Sequence, residues 1–318
     1  MSNTLRLIGR RLLVLPVMIL GITFLVFFVM SFSNVDPARI ALGESADAAA
    51  LEAWRDQRGL NDPLIVQYFR FLVGLLHGDL GTYSARQLPV NDAIAGAFPV
   101  TMQLTFFGLI IAVVFALILG IVAALYRDRW PDQVIRVVSM ASLSMPSFWL
   151  AVLLIQLFTL QLRLVPASGP LPALSEDPIG WLNRMALPAI ALAVPVIGQL
   201  SRVVRTAMVE ELDRDYVRTA IGAGIPRSVV ISRNVLRNAL ITPITVLGLR
   251  VGYLLGGAIV IEVIFALPGM GMTIFQGITA NEPNLVQGVT LVVALAFVVI
   301  NIVVDLLYVL INPRIRSV

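Results

Sequence analysis

The sequence predicts an all-α membrane protein that crosses the bilayer six times and has both termini in the cytoplasm. Of its 318 residues, 58% are hydrophobic and only 13% are charged, whereas soluble domains carry roughly 25% charged residues. The apolar residues are gathered into six long runs, and the segments between them hold nearly all the charges. A helix of about 20 residues, rising about 1.5 Å per residue, crosses the roughly 30 Å of hydrocarbon in a bilayer. Each run is therefore predicted to be a transmembrane helix.

The first run, residues 12–32, follows three Arg residues. A secretory signal peptide also places an apolar core after basic residues, but this run is longer than a signal core and no small-residue cleavage site follows it. We interpret it as an anchored span. A long polar interval follows at 34–98, and helical periodicity over 65–76, after a turn at Pro63, predicts a short amphipathic helix on the outer face of the membrane.

Proline marks two of the remaining spans. The fourth is short, and we expect Pro188 and Pro195 to interrupt it before its helix continues toward Leu212. The third carries several Ser residues and Pro146, which a bilayer tolerates where neighbouring helices satisfy the freed backbone groups. We therefore expect a helix–helix contact there, with a role in lining the solute path as the alternative. The five predicted spans after the first are residues 100–126, 137–162, 185–201, 238–265 and 285–311.

The distribution of Arg predicts the orientation. With the termini in the cytoplasm, fifteen Arg residues lie on the cytoplasmic side and seven on the outer side, most of these seven in the long first loop. Long loops count little in the positive-inside rule, so the short loops favour this orientation. The basic character of the chain then reflects its topology, and no nucleic-acid partner is expected because no basic patch with stacking aromatic residues is present.

Missing residue types exclude several kinds of chemistry. All 23 basic residues are Arg, there is no Cys, and the one His is His77. A Walker A loop and a Schiff base both need Lys, and a structural zinc site needs Cys or several His residues. We expect no enzyme activity, cofactor or metal in this chain. Any ATP and Mg²⁺ would be bound by partner subunits.

The polar segment 202–237 lies between two apolar runs and contains seven Arg and four acidic residues. Either Asp213 or Asp215 is expected to cap a short helix, because a carboxylate accepts the free amide hydrogens of a first turn. Gly224 is suited to the left-handed conformation that ends a helix, and Pro226 to the first turn of the next one. The segment is predicted to be a compact helix–turn–helix projection in water that docks onto a partner.

This projection resembles the EAA loop of the membrane subunits of ATP-binding-cassette (ABC) importers. That motif is Glu-Ala-Ala, three residues and Gly, and here Arg218, Thr219 and Ala220 precede Gly224 by the same spacing. The form Tyr-(Ile/Val)-Arg-Thr-Ala, which begins here at Tyr216, is typical of the dipeptide and oligopeptide branch. The resemblance implies that this helix lies in a groove of an ATPase subunit, with Arg side chains at the rim of the contact. The residues implied in coupling are Asp215, Tyr216, Arg218, Thr219, Ala220, Gly224 and Pro226, with Arg214 and Arg227 also at the rim.

Other segments are similar to the same branch, so the resemblance covers nearly the whole chain from about residue 60. It implies a type I ABC importer permease in a bacterial inner membrane. Its partners would be a second, similar permease subunit, two cytoplasmic ATPase subunits and an extracytoplasmic solute-binding protein. We divide the chain into a first helix with its outer segment, 1–98, and a five-helix permease core, 99–318. The segments that carry the resemblance are residues 60–68, 78–81, 236–243, 304–308 and 313–316.

Two other functional classes fit the sequence poorly. An intramembrane protease would need a membrane-facing Ser–His pair, an HExxH motif or two intramembrane Asp residues, and only Asp305 and a loop His77 are available. A secondary transporter would predict an internal repeat, and none is convincing. Peptides are the expected cargo, with nickel chelates and glutathione as alternatives carried by similar importers.

Two charges, Arg250 and Glu262, lie within the fifth span. A charge at the bilayer centre costs about 2.5–3.5 kcal/mol on insertion scales, so both side chains should face protein or water. Twelve residues correspond to about 18 Å along a helix, so the two cannot pair with each other. One interpretation is that each pairs with a polar group of a neighbouring helix or subunit. The other is that both lie on the translocation path, where Arg250 would attract a carboxylate of the solute.

Overall fold

The computed structural model of the chain describes residues 3–32, 36–43, 45–84, 86–166 and 168–311, and the side chains among them between residues 16 and 304. The chain is helical apart from one two-stranded ladder among these residues. It divides into two compact units. One combines Leu5–Thr101 with Pro268–Val299, and the other combines Met102–Leu267 with the chain from Ile300 onward. The segment after residue 311, which includes part of the C-terminal resemblance, lies outside the described residues.

The first unit opens with α1, a helix of 29 residues. The carboxylates of Asp36 and Asp47 accept backbone amides at the starts of the next two helices, as N-caps do. The short outer helix predicted after Pro63 is present. Tyr68 on that helix packs against Phe24 of α1 and shares a hydrogen bond of 3.1 Å with Thr23. The elements are α1 (Asn3–Ser31), α2 (Pro37–Leu42), α3 (Ala48–Arg58), α4 (Leu64–Leu76), β1 (Thr82–Tyr83), β2 (Leu88–Pro89) and the start of α5 (Val90–Leu125), together with α13 (Met270–Thr279) and the start of α14 (Pro283–Ile311).

The second unit is organised around a single long helix, α8, which packs against α6, α7 and α12. Small residues permit the close approach. At Gly198 of α8, an added Cβ would lie 2.6 Å from the backbone oxygen of Ser139 on α6, and the hydroxyls of Ser139 and Ser201 are 2.9 Å apart in the buried contact. The predicted helix–helix contact of the Ser-rich span is confirmed. The elements are α6 (Trp130–Ser144), α7 (Ser147–Leu154) with a π-helical continuation (Ile155–Gln161), α8 (Pro178–Leu212), α9 (Asp215–Gly222), α10 (Arg227–Val229) with a π-helical continuation (Val230–Val235), α11 (Leu236–Ala239) and α12 (Ile241–Ile264).

Four helices among the described residues, α5, α8, α12 and α14, are long and apolar enough to cross a membrane. The bent pair of α6 with α7 and its continuation makes a fifth candidate. The first predicted span lies in α1, where the apolar stretch with described side chains is Pro16–Ser31. The prediction of a helical, polytopic membrane protein is therefore confirmed at the level of four to five candidate spans.

The third predicted span is not one straight helix. α6 begins at Trp130, seven residues before the predicted span, because Pro131 suits a first helical turn. It ends at Ser144, and α7 starts at Ser147 at an angle of 103°. Pro146 causes the break, since it lacks an amide hydrogen and forces Met145 into an extended conformation (φ −89°, ψ 120°).

The prediction for the fourth span is wrong in the opposite way, because its helix is continuous where interruptions were expected. Pro188 and Pro195 lie inside α8, which continues without interruption from Pro178 to Leu212. Pro188 and Pro195 are buried, and the tightly packed neighbours α6, α7 and α12 hold the helix together around them. The predicted continuation of this helix toward Leu212 is confirmed.

Candidate functional site

The helix α9 follows α8 after only two residues, Asp213 and Arg214. The prediction of a carboxylate cap is wrong. The N-cap residue is Arg214, whose side chain makes no capping hydrogen bond. Asp213 is instead engaged by Arg127, whose Nη1 lies 2.8 Å from its Oδ2. Asp215 occupies the first turn of the helix, where a negative charge stabilises the helix dipole.

Gly224 ends this short helix as predicted. Its φ is +86°, a conformation in which a Cβ is strained. The backbone amide of Gly224 donates to the carbonyl of Ile221 (3.0 Å), and that of Ile225 donates to Ala220 (3.2 Å), which satisfies the last carbonyls of the helix. Pro226 is the residue just before α10 rather than part of its first turn, so the prediction for Pro226 is wrong by one position.

The inner side of α9 packs on its own subunit. Val217 is only 4% exposed within an apolar cluster that includes Met208 and Val235, and Tyr216 and Ala220 pack against the same cluster. The Tyr216 hydroxyl donates to Glu211 Oε2 at 2.9 Å. Burial raises the pKa of this hydroxyl above its ordinary value, and the neighbouring carboxylate adds to the shift. Tyr216 and Ala220 are therefore partly buried against their own subunit, and their role in coupling stays a prediction.

The outer side of α9 is open. The exposed residues of α9 and of the turn that follows it include two bulky aliphatic side chains, Ile221 and Ile225, which are 44% and 43% exposed. Around them lie exposed charges and small groups. These exposed residues are Arg214, Asp215, Arg218, Thr219, Gly222, Ala223, Gly224, Pro226 and Arg227. An apolar centre surrounded by charged side chains is typical of a protein docking surface. We call this set, with Ile221 and Ile225, the α9 face.

An ion pair with a fully buried carboxylate joins α6 to α8. Arg205 donates through Nε and Nη2 to the two carboxylate oxygens of Asp132, each at 2.6 Å. Asp132 is fully buried, and Asp132 Oδ2 also accepts the backbone amide of Asp128 at 3.0 Å. The two partners are 73 residues apart, and no local pattern in the sequence indicates the pair.

Arg250 lies on α12 beside a cavity of about 300 Å³ in the second unit. Its guanidinium carbon is 5.8 Å from the centre of the Tyr253 ring, within reach of a cation–π contact. Its Nε is buried without a hydrogen-bond partner in the described part of the chain. The residues that line the cavity are Leu143, Pro195, Val196, Gln199, Arg202, Arg250 and Tyr253.

Glu262 lies near the other end of α12, is fully buried, and does not line this cavity. The structure therefore does not bring Arg250 and Glu262 to one place. Close to that end, the buried side chain of Arg184 on α8 donates through Nη2 to the backbone carbonyls of Gly169, Phe265 and Ala266 at 3.1 to 3.5 Å. Sequence reasoning missed this contact, because backbone carbonyls are present at every residue and no particular side chain marks the residues that accept from Arg184.

Two family models match the chain. The model described as the binding-protein-dependent transport system inner membrane component matches residues 116–317, and that of the N-terminal membrane component of these systems matches residues 4–105.

Several curated proteins are similar over nearly their full length. One is a putative peptide transport system permease protein of Brucella abortus (strain 2308), 40% identical over 302 residues, which cover 95% of this chain and 96% of that protein. Another is a probable D,D-dipeptide transport system permease protein of Escherichia coli (strain K12), 37% identical, with 95% and 94% covered. A third is a glutathione transport system permease protein of Pectobacterium atrosepticum, 39% identical, with 96% and 97% covered. This chain therefore belongs to the inner membrane components of binding-protein-dependent transport systems, and it is a multi-pass permease subunit of an ABC importer.

Proposed function

We propose that this permease imports peptides and is driven by two ATPase subunits that dock on the α9 face. It would pair with a second, similar permease and receive solute from an extracytoplasmic binding protein. ATP and Mg²⁺ would be bound by the ATPase subunits. Six spans and cytoplasmic termini complete the proposal, with α1 as the first span and the bent α6–α7 pair as the third.

The observation that carries the coupling role is the two-sided packing of α9. One side is held by the apolar cluster and the Tyr216–Glu211 hydrogen bond, while the other presents the apolar and charged α9 face. A rigid support beneath an open surface suits a contact that must transmit displacement to α8. Since α8 ends only two residues before α9, a movement of the docked helix would be passed directly to the helix at the centre of the second unit.

Replacing Gly224 tests the coupling role. Gly224→Val should strain the left-handed turn by about 1 kcal/mol or more and displace the α9 face. We expect assembly with the ATPase subunits, or solute-stimulated ATP hydrolysis in proteoliposomes, to fall several-fold. Gly224→Asn is the matched control, because Asn adopts the left-handed conformation more readily and should retain most of the activity. Normal uptake by the Val variant would contradict the proposal.

The absence of Cys makes the orientation directly testable. Single Cys residues at Ser45 and Ser175, both exposed, should react with a membrane-impermeant thiol reagent added to intact spheroplasts. A Cys at the exposed Ser228 should react only after the membrane is permeabilised. The reverse pattern would overturn cytoplasmic termini.

The peptide cargo rests on the similar proteins named for peptide and dipeptide transport. Since another similar protein is named for glutathione, the test is a competition assay with the complete transporter. Uptake of labelled trialanine should be inhibited by short peptides more strongly than by glutathione or a nickel chelate. The opposite order would reassign the cargo and leave the importer assignment intact.

We further propose that Arg250 and Glu262 contribute to the translocation path. Arg250 lines a cavity in this structure, while Glu262 would act at the outer end of α12 in another conformation. Glu262→Gln should lower uptake without preventing assembly. Loss of the assembled complex would instead assign Glu262 a purely structural role.

A further inference from the structure

We infer that the cavity beside Arg250 is an anion-binding site for a carboxylate of the transported peptide, formed jointly by Arg250 and Arg202. The inference rests on the proposed function and adds a second Arg, a ligand group and a depth in the membrane. It begins from the lining, which contains two guanidinium groups, one carboxamide and one phenol, and no carboxylate from the described residues.

The lining follows from helical spacing. Pro195, Gln199 and Arg202 recur at intervals of four and three residues along α8, so they share one side of that helix. Arg250 and Tyr253 are three apart on α12, which packs against α8. The two stripes meet at the cavity, where the side chain of Leu143 adds an apolar wall. The arrangement places two positive charges and two neutral hydrogen-bonding groups around one space.

Neither Arg side chain at the cavity has a carboxylate partner among the described residues. Arg205, on the same helix as Arg202, directs two donors to Asp132. By contrast, the side chains of Arg202 and Arg250 make no hydrogen bond or ion pair with another described residue. Arg202 is exposed, and Arg250 Nε is buried and unsatisfied. Burying a donor without a partner is unfavourable, and more so when the donor is charged. An incoming carboxylate would remove that cost and accept charge-assisted hydrogen bonds, which are stronger than neutral ones.

The size and depth of the cavity suit part of a small solute. A volume of about 300 Å³ is at the lower end of pockets that hold small molecules, which run from about 300 to 1,000 Å³. Arg250 lies nine residues from the start of α12 at Ile241, and Arg202 ten residues from the end of α8 at Leu212. Both distances are about 15 Å along a helix. In the proposed orientation, the site lies in the cytoplasmic half of the path, where it would hold a peptide before release.

The test uses a reporter inside the cavity of the complete transporter. Leu143→Cys introduces the only thiol of this chain, and its labelling is followed by mass spectrometry with two thiol reagents, one anionic and one cationic. Because a positive site raises the local concentration of anions, the anionic reagent should react about tenfold faster relative to the cationic one. The ratio should fall toward one in the Arg202→Gln, Arg250→Gln double variant. It should not change in Arg129→Gln, a matched variant at an exposed Arg outside the cavity.

Protection experiments then identify the ligand group. Trialanine should slow the labelling, and trialanine amide should not. Equal rates for the two reagents, a ratio unaffected by the double variant, or equal protection by trialanine and its amide would each overturn the inference. So would protection by phosphatidylglycerol alone, which would assign the site to lipid. ATP-dependent uptake of trialanine by the unmodified transporter is measured in parallel, because failure of that assay rejects the peptide cargo rather than the anion site.

Discussion

The α6–α8 junction and the α9 face lie on consecutive parts of the same unit, yet they are built in opposite ways. At the junction, glycine and serine permit close helix packing, and the Asp132–Arg205 pair is buried and bidentate. On the α9 face, Ile221, Ile225 and Arg218 are exposed to solvent in this chain. The first region pairs buried polar groups with one another, while the second exposes apolar and charged groups that contact a partner in the proposed function. On that proposal, stability and coupling are separated along some twenty residues of chain.

The largest effect on stability is expected from Asp132→Ala. It leaves the mostly buried Arg205 without its partner, and removing one member of a buried pair costs about 3 kcal/mol or more. We expect a clear fall in the melting temperature of the detergent-purified complex, measured by the loss of its gel-filtration peak after heating. Asp128→Asn is the control, since that carboxylate is 74% exposed and Asn tolerates the left-handed φ of +62° at this position. If both variants melted alike, the junction would not be the more rigid region.

A smaller effect is expected from Gly198→Ala. The added Cβ would lie 2.6 Å from the Ser139 carbonyl oxygen. Overpacking of this kind typically destabilises a protein by about 1–3 kcal/mol. Gly256→Ala is a matched control on α12, where an added Cβ meets nothing within 4 Å. The control should melt at the original temperature or slightly above, because Ala favours helix more than Gly. A neutral Gly198→Ala would show that α6 and α8 can separate freely.

The smallest effect on stability is expected from Arg218→Ala on the α9 face. Exposed substitutions usually change stability by less than about 0.5 kcal/mol, so the melting temperature should stay unchanged. Solute-stimulated ATP hydrolysis should nevertheless fall, because a charge at the docking surface is lost. Arg129→Ala, at another exposed Arg, should affect neither. A large loss of stability in Arg218→Ala would remove the distinction between the two regions.

What the sequence predicted was mostly local. The left-handed Gly224 follows from residue type, and the helices of the membrane spans follow from length and hydrophobicity. The side of α9 that faces inward was not predictable from local sequence. It is determined by tertiary packing, in which α8 and the segment after Val230 form an apolar cluster with Val217, Tyr216 and Ala220. The contrast between Pro146 and the two prolines of α8 has the same origin. A proline either breaks its helix or is accommodated within it, depending on how tightly neighbouring helices pack around that turn.

The contact of Arg184 with Phe265 and Ala266 has a mechanical consequence. It fastens the beginning of α8 to the end of α12, while the other end of α8 leads into α9. α8 is about 50 Å long, and in the proposed function a displacement applied at α9 would turn it about the Arg184 end. A small tilt about the Arg184 end would carry Arg202 past Arg250 on the neighbouring helix. The same stroke that the partner delivers to α9 would then open or close the gap between the two guanidinium groups.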